Sequence, residues 1–430
     1  MTMNHNPEQH MHHVFESQRL AFTQAGAPDT SERKTHIRAI KRQLQRYQDV
    51  LADAMNTDFG IRSHAESKMF DVLSGVLDAN HALSHLSQWM KPSKRSTELL
   101  FKTNSLQVTY QPKGVVGVIV PWNFPIYLAV GPLITALAAG NRVMIKMSEA
   151  TPVTNALFRR MLAEIFTEDR VAVFGEELIN PAAFSELPFN HIVFTGSPAV
   201  GKIIMRAAAD HLTPVTLELG GKSPAVVLRD YSISDAAMRV AHGKSANGGQ
   251  ICVSPDYVLV PRESMATFVN HAQAAFESFY GKQAIGNPDF TAMIHERHHQ
   301  RVMALLDDAK AKGAKVLPCA DVGKGDGRQM PLHLVWNCTD NMALMQEEIF
   351  GPILPIVAYD SLDEAIAYIN ARPRPLALYC FTHENQARER LLRFTHSGGV
   401  TVNDWAWHVL NHDAPFGGVG NSGMGTYHGV

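Results

Sequence analysis

A regular hydrophobic pattern first appears over residues 31–59, where it predicts a helix with one buried face. The apolar side chains recur every three or four residues, at Ile37, Ile40, Leu44, Tyr47, Leu51 and Met55. Gly60 comes directly after this stretch and is a typical C-terminal stop. A second helix is expected over residues 65–90, because Pro92 ends the helical pattern there.

The spacing of apolar residues changes from that of a helix to that of a strand after Pro92. Residues 106–111 alternate between apolar and polar positions like a strand, and Lys113-Gly114 separates them from the next apolar run. We therefore expect residues 97–113 to form a hairpin or arm that protrudes from the rest of the chain.

Short β-branched runs then alternate with helical stretches along the remaining sequence. Strands are predicted over residues 115–120, 142–146, 171–174, 191–194, 224–228, 257–260 and 353–359, and helices over 126–139, 265–280 and 296–312. Such alternation predicts parallel, doubly wound sheets that helices cover on both faces. The expected fold is α/β, with two lobes that meet near Glu218.

The most apolar stretch, residues 114–141, has no charged side chain and is long enough to suggest a membrane span. However, Pro121, Asn123, Pro125 and Pro132 interrupt it. A buried strand, a rigid turn and a core helix are predicted instead of a span.

Composition narrows the class of protein. The 430 residues include 39 Lys and Arg against 41 Asp and Glu, a net charge of −2, which excludes the basic footprint of nucleic-acid binders and the bias of disordered chains. A small-molecule substrate is expected. The cysteines, Cys252, Cys319, Cys338 and Cys380, form no CxxC pair and are too few for a disulfide framework, which favours the cytoplasm.

The N-terminal residues 1–20 lack the apolar core of a secretory signal. We expect them to form a mobile polar tail, and we assign no metal to His5, His10, His12 and His13.

Two glycine motifs resemble nucleotide-binding fingerprints but lack their context. Gly418, Gly420 and Gly423 form a GxGxxG pattern too near the end of the sequence for the strand-helix-strand unit it should open. The stretch from Gly196 to Lys202 resembles a phosphate-binding loop, but Ile203 stands where magnesium binding needs Ser or Thr, which disfavours an NTPase. Its glycines and the helix after it still suit a phosphate.

Three residues have the chemistry of an acyl-transfer site. Cys252 follows the glycine pair Gly248-Gly249, whose flexibility leaves the cysteine N–H free to bind an oxyanion. Glu218, at a strand end beside Gly220-Gly221, has the setting of a general base, and Asn123 is an uncharged donor on a rigid turn. Taken singly, each of the three is also explained by an ordinary structural role.

Seven motifs in order resemble those of the aldehyde dehydrogenase superfamily, nearest to its class 3 and coniferyl aldehyde dehydrogenase branch, and they cover nearly the whole chain. They are Pro121-Trp122-Asn123-Phe124-Pro125, Lys146-Met147-Ser148-Glu149, Phe194-Thr195-Gly196-Ser197 with Gly201, Glu218-Leu219-Gly220-Gly221-Lys222, Gly249-Gln250-Ile251-Cys252, Glu347-Glu348-Ile349-Phe350-Gly351-Pro352 and Pro415-Phe416-Gly417-Gly418.

The resemblance implies a role for each matching residue. Cys252 would be the nucleophile, Glu218 the base and Asn123 an oxyanion donor together with the Cys252 N–H. The residues implied to hold the cofactor are Trp122, Lys146, Glu149, Gly196, Ser197, Gly201, Glu348 and Phe350, with no metal. Glu348 is implied as a contact of the nicotinamide ribose, and a share of the base role stays open for it.

The implied reaction is the NAD(P)-dependent oxidation of an aldehyde to a carboxylic acid through a cysteine thiohemiacetal and thioester. NAD is expected ahead of NADP, because the Glu149 carboxylate repels a 2′-phosphate, while Lys146 leaves NADP open. The branch implies an apolar aldehyde, aromatic or medium-chain and similar to coniferyl aldehyde. Tyr127, Trp405, Trp407 and His408 are expected near the site mouth or in the core.

The implied domains are an NAD-binding lobe (1–96 and 114–217), a catalytic lobe (218–405), and an oligomerisation arm (97–113) with a short C-terminal segment (406–430). A cytoplasmic homodimer is expected. The alternatives are a thiol hydrolase that pairs Cys252 with His242 or His408, an inactive relative with a binding or structural role, and a CoA-acylating dehydrogenase.

Overall fold

The computed structural model describes residues 6–323 and 327–429. Its helices are α1 Pro7–Ala25, α2 Thr30–Phe59, α3 His64–Glu66, α4 Ser74–Trp89, α5 Tyr127–Ala138, α6 Pro152–Ala163, α7 Ala182–Ser185, α8 Pro198–Ala209, α9 Ile233–Ser245, α10 Met265–Tyr280, α11 Glu296–Ala311, α12 Ala343–Gln346, α13 Leu362–Asn370 and α14 Asn385–Phe394. Its strands are β1 Ser93–Arg95, β2 Leu106–Val108, β3 Val115–Ile119, β4 Arg142–Lys146, β5 Val171–Phe174, β6 His191–Gly196, β7 Val215–Leu219, β8 Pro224–Val227, β9 Tyr257–Pro261, β10 Lys315–Pro318, β11 His333–Trp336, β12 Ile353–Tyr359, β13 Ala377–Phe381, β14 Gly399–Val402 and β15 Gly423–Met424.

The predicted mobile N-terminal tail is wrong for the described residues. Helix α1 begins at Pro7, and the side chain of Asn6 caps it by accepting a hydrogen bond from the Glu8 N–H at 3.0 Å. Met11, Val14 and Phe15 form an apolar stripe that packs against the first sheet, so burial overrides the polar look of this segment. His10, His12 and His13 lie on this helix, and His5 lies outside the described residues.

The two long predicted helices are confirmed. Helix α2 begins one residue before the predicted start, ends at Phe59, and is followed by Gly60 with a positive φ of 80°. The second stretch is a continuous helical segment in which a π-helical insert, Ser67–Leu73, separates α3 from α4. Inserts of this kind occur frequently at functional sites.

The predicted α/β fold with two doubly wound lobes is confirmed. The first sheet has the order β15-β7-β6-β3-β4-β5 and the second the order β10-β11-β12-β9-β8-β13-β14. Pairing is parallel throughout except at the edge pairs β15 with β7 and β10 with β11. Strand β7 extends to Leu219, so the expected junction at Glu218 lies within a strand of the first sheet, which β15 joins from the end of the chain.

Alternation along the strands sends side chains to a core on each face of each sheet. In β3, Val116 and Val118 pack with α2, α4, α5 and α6, while Val115 packs with α1, α7 and α8. In β9, Val258 faces α9 and α10, and Leu259 faces the opposite cluster. Both sheets are therefore covered on two sides, as parallel sheets require.

The apolar stretch before residue 141 forms β3, a turn and the buried helix α5. Within the described residues, no helix is both long enough and apolar enough to cross a membrane.

The arm is a small antiparallel hairpin of β1 and β2, with Ser93 opposite Val108. Its paired strands begin at Ser93, ahead of the predicted start at Thr97, and β2 ends before the predicted Gln111. Leu99 and Leu100, in the turn between the strands, are 79% and 84% exposed. The arm thus presents apolar side chains to its surroundings.

Candidate active site

A cavity of about 690 Å³ lies where the carboxyl ends of β3, β6 and β7 face the second lobe. Eight of the site residues predicted from the sequence line it, although they come from distant parts of the chain. They are Trp122, Asn123, Gly196, Ser197, Glu218, Cys252, Glu348 and Phe350. Because ligands of open α/β sheets bind outside the carboxyl ends of the strands, this cavity is the candidate active site.

Three other predicted site residues lie outside this lining. Lys146 ends β4 and is buried, and its Nζ lies 3.7 Å from Oε2 of Glu149, whose side chain is 71% exposed. Both residues therefore lie at the carboxyl end of β4, along the same edge of the sheet as the cavity but outside its lining. Gly201, in α8, has a packing role, since a Cβ there would lie 2.8 Å from the Leu219 side chain.

The loop before Cys252 has a backbone that few residues tolerate. Asn247, Gly248 and Gly249 have φ values of 49°, 60° and 72°, in the left-handed region. A Cβ on Gly249 would lie 2.6 Å from the carbonyl carbon of Gly351. The glycine pair therefore lets this loop make a tight turn against the loop that carries Glu348.

Hydrogen bonds tie this loop to the turn that carries Asn123. The Asn123 side-chain Nδ2 donates to the carbonyl of Gln250 at 3.1 Å, and Asn247 Nδ2 donates to the carbonyl of Asn123 at 3.2 Å. Gln250 Nε2 in turn donates to the carbonyl of Ala292 at 3.0 Å. One network thus joins the Asn123 amide to the loop that ends two residues before Cys252.

A buried ion pair that the sequence analysis missed supports the same turn. Arg62 donates from Nη1 to the carbonyl of Asn123 at 2.7 Å and from Nη2 to Asp71 at 2.8 Å, and neither side chain is exposed. Asp71 also accepts the N–H groups of Ile126 and Tyr127, each at 3.0 Å. No motif marks Arg62 in the sequence, because a charged residue in a helical loop normally lies at the surface.

Glu218 is the most isolated carboxyl group of the cavity. Its residue is 4% exposed, and neither Oε1 nor Oε2 has a hydrogen-bond partner among the described residues. Burial raises the pKa of Glu218 well above its ordinary value. A carboxylate at this position is a stronger base than one in water, and both of its oxygens are free to bind a ligand or water.

Cys252 is half-buried and its thiol has a high pKa. Burial, and then the charges of Glu348 and Glu218, raise the pKa of the Cys252 thiol to about 12. Its own backbone N–H and that of Val253 act in the opposite direction. These N–H groups face the sulfur, so they are available to a negatively charged atom formed beside it.

Glu348 lies over the glycine pair after β7. A Cβ on Gly220 would lie 2.1 Å from its Oε2, so only glycine admits the carboxylate there. Burial and the charge of Asp256 raise the pKa of Glu348 to about 8, while the Gly221 N–H opposes the shift. Glu348 therefore changes its charge in the pH range where enzymes work.

A second buried network, also missed from the sequence, fixes the loop that carries Glu348. Asp256 pairs with Lys222 at 2.5 Å and with Lys244 at 3.2 Å, and it accepts the Ile349 N–H at 3.1 Å. Burial raises the pKa of Asp256, but the two ammonium groups outweigh it and hold the pKa below its usual value. Lys222 could have been found from the sequence, because it belongs to the motif that begins at Glu218. Asp256 and Lys244 belong to no such motif.

Trp122 forms an aromatic wall with Phe350. Their ring centroids are 5.3 Å apart and nearly perpendicular, and the ring of His298 lies 5.2 Å from Trp122. His298 also shares a hydrogen bond of 2.8 Å with the Phe350 carbonyl, where Phe350 has a positive φ of 51°. The flat wall suits a planar ring.

The aromatic residues expected at the site mouth do not line this cavity. Trp405 packs on Gly243 and donates from Nε1 to Nδ1 of His242 at 3.1 Å. His408 shares a hydrogen bond of 2.8 Å with Thr401. Neither His242 nor His408 lines the cavity with Cys252, so the structure does not form the two Cys-His pairs considered for a thiol hydrolase. His298 lines the cavity, but it shares its hydrogen bond with the Phe350 carbonyl.

The residues of the cavity fit a nicotinamide cofactor. Gly196 and Ser197 lie where β6 ends and α8 begins, so the N–H groups of the first turn of the helix are placed to bind a phosphate. Lys202 adds a positive charge to this wall. On the other side, the pair of Trp122 and Phe350 and the carboxyl of Glu348 suit a ring and a ribose.

Comparison with known proteins agrees with this geometry. The model described as the aldehyde dehydrogenase family matches residues 1–430. A probable coniferyl aldehyde dehydrogenase of Pseudomonas aeruginosa is 49% identical over 416 residues, which cover 97% of this chain and 87% of that protein. A coniferyl aldehyde dehydrogenase of Pseudomonas sp. is 46% identical over 398 residues, which cover 91% and 82%.

Solved structures share the fold. The substrate-bound state of Staphylococcus aureus AldH superposes with a TM-score of 0.92 at 35% identity, covering 97% of this chain and 90% of that one. The NAD+ complex of an aldehyde dehydrogenase from Bacillus cereus has a TM-score of 0.87 at 26% identity, covering 97% and 85%.

Gly249 offers a test of the loop geometry. Gly249→Ala and Gly281→Ala both add a Cβ at a positive φ, a cost of about 1–2 kcal/mol, but Gly281 has nothing within 4 Å whereas Gly249 meets the Gly351 backbone. We expect Gly249→Ala to lower the free energy of unfolding, measured with urea, by about 1–3 kcal/mol more than Gly281→Ala. Equal losses would show that the loop has room to relax.

Proposed function

The chain belongs to the aldehyde dehydrogenase family and oxidises an aldehyde to a carboxylic acid with a nicotinamide cofactor, and on this premise we propose which residues perform each step. The observation that supports the proposal best is the meeting of Cys252, Asn123 and Glu218 at one cavity. Their chemistry is that of a nucleophile, an oxyanion donor and a base.

The first step forms a bond between Cys252 Sγ and the aldehyde carbon. Because the thiol is protonated in the resting site, a carboxylate must accept its proton. We assign that transfer to Glu348, which lines the cavity with the thiol, beside its contact with the nicotinamide ribose, and keep Glu218 for the hydrolysis that follows. The oxygen of the thiohemiacetal is stabilised by Asn123 Nδ2 and the Cys252 N–H.

When bound, the nicotinamide cofactor supplies the acceptor for the hydride that leaves the thiohemiacetal carbon. Trp122 and Phe350 would lie against its ring, and Gly196 and Ser197 would bind its diphosphate at the helix N-terminus. Gly201 lets α8 pack closely on β7. Lys146 and Glu149 hold the adenine ribose at the sheet edge.

Hydrolysis of the thioester is assigned to Glu218. Its two oxygens lack partners and its pKa is raised by burial, so its ionised form takes a proton from water effectively. The hydroxide attacks the thioester carbon, the bond to Sγ breaks, and the acid leaves with the thiol restored. Glu348 is less suited, because it accepts the Gly221 N–H.

We propose NAD as the preferred cofactor. The Glu149 side chain is 71% exposed at the proposed ribose position, where its carboxylate accepts a hydrogen bond from the 2′-hydroxyl and repels a 2′-phosphate. Its partner Lys146 is buried and donates to the Met147 carbonyl at 2.6 Å, so it is poorly placed to bind that phosphate.

We propose an aromatic aldehyde similar to coniferyl aldehyde as the substrate class. The support is the similarity to coniferyl aldehyde dehydrogenases. The thiol also borders an apolar cluster that includes Phe124, Tyr127 and Phe70, which offers flat surfaces to an aromatic ring.

We also propose a homodimer assembled through the arm, a cytoplasmic location, and the division into a cofactor lobe (1–96 and 114–217), a catalytic lobe (218–405), and the arm (97–113) with the 406–430 segment. The exposed leucines of the arm support the dimer. The four unpaired cysteines support the location.

Cys252→Ala tests the nucleophile. We expect this variant to form no NADH above background from coniferyl aldehyde and NAD, because no sulfur remains to form the thiohemiacetal. Cys338→Ala, at a half-buried cysteine away from the cavity, is the matched control and keeps wild-type activity. Full activity in Cys252→Ala, read as absorbance of NADH, would reject the mechanism.

Glu218→Gln separates the two halves of the reaction. We expect an initial burst of about one NADH per site, followed by turnover at least about 100-fold slower, because acylation survives and hydrolysis loses its base. Stopped-flow absorbance measures both phases, and Glu348→Gln is run in parallel. If Glu348→Gln alone shows this pattern, the hydrolytic base is Glu348.

A panel of aldehydes assayed with NAD and with NADP tests substrate and cofactor together. Coniferyl aldehyde and benzaldehyde are expected to have higher kcat/KM values than hexanal, and NAD a higher value than NADP by about tenfold or more, a difference of about 1.4 kcal/mol. Faster turnover of hexanal would contradict the aromatic substrate class, and a preference for NADP would contradict the role of Glu149.

A further inference from the structure

A second cavity of about 650 Å³ adjoins the active-site cavity. It lies between the C-terminal ends of α13 and α14 and the turn at Gly420, and Asn370 fastens the two helix ends by donating to the Phe394 carbonyl at 2.8 Å. It shares Arg372, Arg374 and Asn421, among others, with the first cavity.

The lining of this second cavity is basic. It includes three arginines, Arg372, Arg374 and Arg393, together with His396, and no carboxylate side chain. Arg372 is already engaged, because it pairs with Asp340 and stacks on the ring of Tyr368. Within the described residues, Arg374 and Arg393 have no ion pair and no side-chain hydrogen bond to the protein.

The nearby helix ends do not neutralise these charges. Each helix C-terminus carries about half a negative charge, so the ends of α13 and α14 together offset about one of the two free guanidinium charges. Roughly one positive charge remains. Among the described residues the donors of the two guanidinium groups are unused, and the amide of Asn421 beside them makes no hydrogen bond.

We propose that this cavity is a binding site for a phosphate-bearing small molecule, separate from the cofactor site. A phosphate group carries up to two negative charges and three free oxygens, and the forked donors of Arg374 and Arg393 match that geometry. A carboxylate has one charge and two oxygens, so it satisfies fewer of these donors.

The lining distinguishes this site from the one that holds the cofactor diphosphate. Arg393 and His396 belong only to the second cavity, whereas Ser197 and Lys202 belong only to the first. Substitutions at these positions therefore report on one site at a time, and the measurement needs neither an aldehyde nor turnover.

The test is isothermal titration of the full chain with pyrophosphate at constant ionic strength. Wild type is expected to show saturable binding, and Arg374→Gln/Arg393→Gln to bind at least about tenfold more weakly, since two charge-assisted contacts are lost. Because Arg374 lines both cavities, Arg393→Gln alone, at a residue that lines only the second cavity, must also weaken binding. Arg388→Gln, on α14 but outside the lining, is the matched control and stays within about twofold of wild type. Because Arg374 and Arg393 are exposed, we expect the double variant to keep the fold. Each single variant is titrated as well, so that weaker binding is not attributed to the loss of folding in the double variant.

Three results would overturn the proposal. The first is that wild type shows no saturable binding, and the second is that the double arginine variant keeps its affinity. The third is that Lys202→Gln loses binding while the arginine variants keep it, which would assign the pyrophosphate to the cofactor cavity. Acetate is titrated as the carboxylate counterpart, and acetate binding as tight as that of pyrophosphate would contradict the assignment to phosphate.

Discussion

The site depends first on the buried pair of Arg62 and Asp71. Arg62 holds the carbonyl of Asn123, and Asp71 holds the N–H groups that begin α5, so one ion pair fixes both halves of the turn after β3. The same Asn123 carbonyl accepts a hydrogen bond from the side chain of Asn247, which lies in the loop before Cys252. Removing one partner of a buried pair typically costs about 3–5 kcal/mol, so here stability and the position of the oxyanion donor rest on the same contacts.

Glu218 and Glu348, which line the cavity, illustrate the opposite arrangement. Asp256, which only positions a loop, is surrounded by two ammonium groups and keeps its charge. Among the described residues Glu218 has no hydrogen-bond partner, and Glu348 has the Gly221 N–H, with the charges of Lys244 and Lys222 as smaller effects. The buried ammonium groups of Lys222 and Lys244 thus pair with a carboxylate that positions a loop, and neither of them pairs with Glu218 or Glu348. This keeps the basicity of the two glutamates high.

The spacing of apolar residues predicted the helices and strands whose position is set within the element itself. The period of α2 and the β-branched runs of β3 to β6 matched the structure closely, because amphipathic spacing is set within each element. Strand β13 escaped notice, since a short, wholly buried apolar run has no period that separates strand from helix. The motifs located eight cavity residues, but Arg62, Asp256, Lys244 and Arg393 act through contacts between distant segments, which no local pattern encodes.

The raised carboxyl pKa values also link protonation to folding. A Glu whose pKa is higher in the folded chain than in the unfolded one holds its proton more tightly when folded, so its contribution to stability falls as the pH rises between the two values. For Glu348 that window runs from about 4.5 to about 8, and burial shifts Glu218 in the same direction. The alkaline conditions that ionise the cavity for chemistry are therefore those under which these groups favour the folded state least.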